Sequence, residues 1–170
     1  MSVASLIKPE ETIYIGAGTT AYWVAKYMLG IKDLTVVTNS LPLANLVAQI
    51  ETINLIMVGG HLRRKEFTFI GQFAEMTIRD LHFSRVIVGM NGIHPDNGFT
   101  SEHPQELMTD RVFYKATDNV IVVADHTKIG RIATHKTANI ESAKTIVTTK
   151  KASAEIVDRI RQKGVEVIVL

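Results

Sequence analysis

The sequence predicts an α/β fold: a mostly parallel, twisted sheet with helices on both faces. Two observations carry the prediction. Short apolar runs recur along the 170 residues, most of them continuous in Val, Ile and Leu rather than alternating. Strands buried on both faces by helices look like that. Between several of these runs lie stretches with apolar residues at helical spacing, and strand alternating with helix points to a parallel sheet. Length and a hydrophobic content of 46% suit one globular domain over residues 1–170, with a sizeable core.

Taken in order, Ser2–Ile7 reads as the end of a helix stopped before Pro9, and so abrupt a start suggests a chain cut from something longer. Ile13–Ile15 is the first expected strand. Thr20–Leu29 follows as a helix, because Ala21, Val24, Ala25 and Met28 form one apolar face. A strand is expected at Leu34–Thr38, then a helix over Leu41–Gln49 with Ser40 at its N-cap. Ile53–Val58 and Val86–Met90 are the next strands, flanking a helix at Phe73–Leu81. Pro104–Ala116 is the fourth expected helix, followed by strands at Val120–Ala124 and Thr145–Thr148. A helix at Ser153–Lys163 and a strand at Val165–Leu170 complete the pattern.

The stretch Ile13–Met28 organises the chain. A strand ends at Gly16, the turn Gly16-Ala17-Gly18-Thr19-Thr20 follows, and a helix opens. The first N–H groups of a helix have no partner inside it, and its dipole is positive at that end, so such a turn suits a phosphate or other small anion. A plain structural turn between strand and helix has the same signature. The turn fits the loose dinucleotide pattern, yet no carboxylate closes the second strand at Val36-Val37-Thr38-Asn39-Ser40, which disfavours NAD. No Lys follows the glycines, which excludes a nucleotide-triphosphate loop. A small phosphorylated ligand is what remains.

In parallel sheets, ligands bind beyond the carboxyl ends of the strands. Five strand ends in succession close with glycine or small polar residues: Gly16–Thr20, Thr38-Asn39-Ser40, Gly59-Gly60, Gly89-Met90-Asn91-Gly92 and Asp125-His126-Thr127-Lys128. Together they suggest a rim around a polar ligand. For each glycine, a turn needing positive φ is the alternative.

Several classes are excluded or disfavoured. Cys is absent, so there is neither a disulfide framework nor thiolate chemistry. The six His show no metal-ligand spacing, and neither a metal nor a cofactor is expected. No apolar run is long enough for a membrane span and the N-terminus lacks a secretion signal, which makes the cytoplasm the expected compartment. A net charge of +2 is too small to argue for nucleic-acid binding by this chain itself.

The ordered motifs resemble a known family. A GTT turn is followed by Thr38-Asn39-Ser40, Gly59-Gly60, Gly89-Met90-Asn91-Gly92, Gly98-Phe99-Thr100 and Ala124-Asp125-His126-Thr127-Lys128-Ile129-Gly130. From about Ser5 to about Val169 the chain resembles the C-terminal effector-binding, or sensor, domain of DeoR-type transcriptional repressors. The resemblance implies the fold of ribose-5-phosphate isomerase and glucosamine-6-phosphate deaminase, no catalysis, and a phosphorylated sugar as effector. It also implies that the sugar alters the grip of an N-terminal winged helix on operator DNA; that winged helix is not in this sequence. Many relatives carry Asp where Gly16 stands and Lys near Thr109. Gly16 and the segment Thr100–Asp110 look more like the lactose phosphotransferase repressor branch, whose effector is tagatose 6-phosphate.

The expected ligand-binding set is Gly16, Ala17, Gly18, Thr19, Thr20, Thr38, Asn39, Ser40, Gly59, Gly60, Gly89, Asn91, Gly92, Thr100, Glu102, Asp125 and Lys128. Lys128, beside Asp125, suits pairing with a phosphate or with that carboxylate, or is a solvated surface lysine. Asp125 either meets sugar hydroxyls or caps its loop. Glu102 either reaches the site or sits at a helix N-terminus favoured by the dipole. Arg63 and Arg64 either approach a phosphate or belong to a charged surface hairpin. Asp125, Glu102 and Lys128 would also furnish the acid–base set of a sugar-phosphate isomerase, the enzyme alternative. Trp23 and Tyr27, one helical turn apart, serve core packing or a subunit contact. Repressors bind symmetric operators, so a homodimer or homotetramer is expected.

Overall fold

The computed structural model describes residues 3–170. A 3₁₀ turn at Val3–Leu6 leads into β1 (Thr12–Ile15), α1 (Thr19–Met28), β2 (Leu34–Thr38), α2 (Leu41–Val47) and β3 (Ile53–Met57). Then come β4 (His61–Arg63), β5 (Thr68–Ile70), α3 (Gln72–Arg79), β6 (Arg85–Val88), β7 (Gly92–His94) and β8 (Gly98–Ser101). The chain closes with α4 (Leu107–Phe113), β9 (Val120–Val123), β10 (His135–Ala138), β11 (Thr145–Thr148), α5 (Ala154–Gln162) and β12 (Glu166–Val169).

All seven expected strands join one sheet in the order β12-β11-β9-β6-β1-β2-β3. Every pairing in it is parallel. Side chains alternate across it. Ile13, Ile15, Val36, Ile87, Ile121 and Val123 pack on one face with Ala21, Val24, Met28, Leu43 and Val47 of α1 and α2. Tyr14, Val37, Val86, Val88, Val120 and Val122 pack on the other with Ala74, Ile78, Phe113, Val157 and Ile160 of α3, α4 and α5. Ile13, Tyr14 and Ile15 are 0% exposed, which explains why the first strand reads as a continuous apolar run. Burial of each such side chain stabilises the fold by roughly 1.5–3 kcal/mol. Among the described residues no helix is long and apolar enough to cross a membrane.

Four features depart from the sequence reading. The first is a β4–β5 hairpin, and the second a three-stranded antiparallel sheet in the order β10-β8-β7. Their strands are three or four residues long and each includes polar residues or glycine, so they leave no periodic signal. The third is at the N-terminus, where the expected helix end is a 3₁₀ turn whose first expected residue, Ser2, lies outside the described residues. The fourth helix is also shorter than Pro104–Ala116, beginning only at Leu107.

Candidate functional site

In the sheet order, β1 and β6 are neighbours; the chain builds outward from β1 toward β3 on one side and from β6 toward β12 on the other. That reversal opens a crevice at the carboxyl ends of the strands. A cavity of about 250 Å³ lies there.

One end of the cavity is the turn after β1. Gly16 N–H donates to Ile87 O at 2.9 Å, which fixes the turn to the end of β6. Gly18 has φ +115°, a conformation that favours glycine, and its carbonyl takes the first helical bond of α1 from Tyr22 N–H at 2.9 Å. The Thr19 and Thr20 N–H groups open the helix and have no carbonyl upstream to receive them. Gly89 and Asn91, after β6, and Asp125 and Lys128, after β9, complete this end. Asp125 Oδ1 accepts hydrogen bonds from Thr127 N–H at 2.7 Å and from the Thr127 hydroxyl. The Thr127 hydroxyl first, and Lys128 further down the order, hold the Asp125 carboxyl below its ordinary range. Asp125 therefore caps its loop and also faces the cavity. Lys128 forms no ion pair with any described residue.

The opposite end is built from the β4–β5 hairpin and α4. Glu66, Thr68 and Ile70 come from the hairpin; Glu106, Thr109, Asp110 and Phe113 come from α4, with His103 just before it. Arg63 ties the two together, pairing with Glu66 at 2.9 Å and with Glu106. Thr109 Oγ1 accepts from Gly71 N–H at 3.3 Å, linking α4 to the start of α3. Burial, reinforced by the charge of Glu106 and partly offset by Arg63, pushes the Asp110 carboxyl up to about 8.

Of the seventeen residues expected from sequence, Gly16, Ala17, Gly18, Thr19, Thr20, Asn39, Gly89, Asn91, Asp125 and Lys128 line the cavity. The other seven do not. The Thr38 hydroxyl accepts from Ser40 N–H at 3.1 Å, and Ser40 caps α2 by accepting from Leu43 N–H at 3.4 Å. Gly59 and Gly60 lead into the hairpin, and a Cβ on Gly60 would stand 2.7 Å from Ile70 O, so that glycine serves close backbone packing. Gly92 and Thr100 pair across the small sheet, where the Thr100 hydroxyl accepts from Ala133 N–H at 2.8 Å. Glu102 points away into an ion pair with Arg131. Arg64 is exposed, while Arg63 is held against the cavity wall by its two glutamates. Trp23 and Tyr27 are 52% and 71% exposed, so core packing does not explain them.

Sequence reasoning missed Glu66, Thr68, His103, Glu106, Thr109 and Asp110. Their signal is weak: the hairpin is short, and nothing in the sequence shows that Arg63 of the hairpin meets Glu106 of α4. At Gly16, where the resemblance leads one to expect Asp, a Cβ would lie 3.1 Å from Val88 Cγ1. A larger side chain there requires Val88 to move.

Residues 1–150 match the family described as the DeoR C terminal sensor domain. The chain is 28% identical over 166 residues to the HTH-type transcriptional repressor GlcR of Bacillus subtilis (strain 168), covering 98% of this chain and 64% of that protein. It is 31% identical over 146 residues to the glycerol-3-phosphate regulon repressor of Escherichia coli (strain K12), covering 86% of this chain and 58% of that protein. The chain thus spans about 60% of the length of these relatives. Among solved structures, ribose 5 phosphate isomerase A from Neisseria gonorrhoeae superposes with a TM-score of 0.52 at 14% identity, over 74% of this chain and 48% of that one. That likeness establishes a shared fold.

Proposed function

Since the chain belongs to the DeoR family, as its C-terminal sensor domain, we propose that the cavity binds a phosphorylated sugar and that its occupancy governs operator binding by a winged helix elsewhere in the full protein. The domain is a regulator's, not an enzyme's: its relatives are transcriptional repressors. One observation carries the reading of the ligand. The glycine turn at the start of α1, with the Thr19 and Thr20 hydroxyls and the unpaired Lys128 beside it, opens into a cavity lined by both polar and apolar residues. A phosphate accepts hydrogen bonds from the N–H groups and hydroxyls and meets the positive end of the helix dipole. Lys128 adds a point charge without geometric selectivity.

The name of the Escherichia coli relative refers to a phosphorylated polyol, which agrees with an anion-seeking turn. We further propose that the full protein works in the cytoplasm as a homodimer or homotetramer. A thermal-shift screen with phosphorylated hexoses, pentoses and trioses tests the ligand class, because a compound that binds the native state raises Tm by mass action. Stabilisation by phosphate esters and not by the free sugars is the expected result. Equal stabilisation by free sugars overturns the reading.

A further inference from the structure

The cavity has two unlike ends. At the α1 end it presents N–H groups, hydroxyls and Lys128; at the hairpin end it presents Glu66, Glu106 and Asp110. We propose that the second end receives a cationic nitrogen, so that the ligand class is an amino-sugar phosphate held with its phosphate on the Gly16–Thr20 turn and its ammonium against Asp110 and Glu106. This rests on the sugar-phosphate reading and narrows it.

Acceptors outnumber donors at the hairpin end. The guanidinium of Arg63 is committed to both Glu66 and Glu106. The Asp110 carboxyl makes no hydrogen bond or ion pair with a described residue, although Asp110 lines the cavity. Two side chains outside this carboxylate group point to the same need. Asn39, 5% exposed, spends its amide nitrogen on Phe69 O at 2.9 Å, and its Oδ1 is left without a donor. Thr68, 2% exposed, has a hydroxyl with no partner. A buried polar atom without a partner costs free energy; the Asn39 oxygen can only accept and the Thr68 hydroxyl can accept as well as donate, so a ligand that supplies hydrogens completes this wall.

The charge balance selects among donors. Three carboxyl groups face one guanidinium and the imidazole of His103, whose Nε2 stands 3.8 Å from Glu66 Oε1. A ligand carboxylate donates nothing and is repelled. A hydroxyl donates a single hydrogen and leaves the charge as it was. An ammonium donates three hydrogens and brings the missing positive charge. Burial and the charge of Glu106 push the Asp110 carboxyl up to about 8, so near neutral pH it holds a proton. A cation beside it would replace that proton. A metal ion is a poorer occupant, since no group of three or more His, Asp or Glu among the described residues is arranged to hold one.

Calorimetric titration of the protein with glucosamine 6-phosphate and galactosamine 6-phosphate, against glucose 6-phosphate and galactose 6-phosphate, tests the inference. One amine is expected to bind at least about tenfold tighter than the hydroxyl sugar of the same ring configuration. N-acetylation, which removes the charge, should cancel the gain, and Asp110→Asn should narrow it. If the Asn variant fails to fold by circular dichroism, Glu106→Gln gives the same readout. Equal or tighter binding of the hydroxyl sugar, or of the N-acetyl form, overturns the amine while leaving the sugar-phosphate reading in place. No binding by any of the four compounds also overturns it, and the wider screen of phosphate esters then decides the parent reading separately.

Discussion

Asn39 and Phe69 hold each other by two hydrogen bonds: Asn39 Nδ2 donates to Phe69 O at 2.9 Å, and Phe69 N–H donates to Asn39 O at 2.8 Å. The pair fastens the end of β2 to the hairpin that brings Glu66 and Thr68 to the cavity. Asn39→Ala removes the side-chain half and should cost about 1–2 kcal/mol of stability. Hydrogen exchange should quicken across Thr68–Ile70 while β1 and β6 keep their protection. Unchanged exchange in the hairpin would refute the fastening role.

At the other end of the cavity, Thr19→Ala and Lys128→Ala should each weaken sugar-phosphate binding by about tenfold or more. Neither change removes core volume, so Tm without ligand should move little. Titration of each variant with the best ligand from the screen checks this.

Asp110 should destabilise the unliganded protein at neutral and higher pH. Its carboxyl ionises at about 8 in the folded protein and at the ordinary 3.8 when unfolded. Between those values the unfolded chain binds fewer protons, so the contribution to stability falls as pH rises from 3.8 toward 8. Asp110→Asn should therefore stabilise the unliganded protein by at least about 1 kcal/mol at pH 8. The gain should shrink toward zero near pH 4 in urea denaturation.

Glu11 acts in the opposite sense. Arg85 grips it with two bonds of 2.8 Å at the start of β1 and β6, and that hydrogen-bonding holds its carboxyl below the ordinary 4.5. The resulting stability is present above 4.5 and is lost as pH falls through the folded value. Glu11→Gln should cost about 1–3 kcal/mol at pH 7 and flatten the decline in stability below pH 5.

The exposed pair Trp23 and Tyr27 borders an apolar hollow that also includes Val3, Val24 and Leu170. If the subunit contact proposed above uses this surface, Trp23→Glu should shift light scattering toward monomer at micromolar concentration. A wild-type protein that is monomeric under those conditions would refute the oligomer itself.

The central sheet was legible because burial on both faces writes itself as uninterrupted Val and Ile, as at Val120–Val123. The α1 end of the cavity was legible because Gly18 answers a backbone demand, a positive φ, that needs no tertiary context. The hairpin end was not. Glu106 and Asp110 acquire their meaning only from Arg63, which arrives from a different part of the chain. Conversely, Thr38, Ser40 and Thr100 carry the right small polar chemistry but spend it on nearby backbone N–H groups. A sequence records which hydrogen-bonding groups exist, not which are already used.

The strand order also sets a schedule for assembly. Ile13 has two lateral neighbours, Val36 nearby in the chain and Arg85 far along it. During synthesis, β1, β2 and β3 can associate early, yet one flank of β1 stays a bare row of amides and carbonyls until β6 has left the ribosome. Parallel pairings over such separations close slowly, and an uncovered strand edge invites the wrong neighbour. The vulnerable species is therefore a nascent chain that stops short of Arg85.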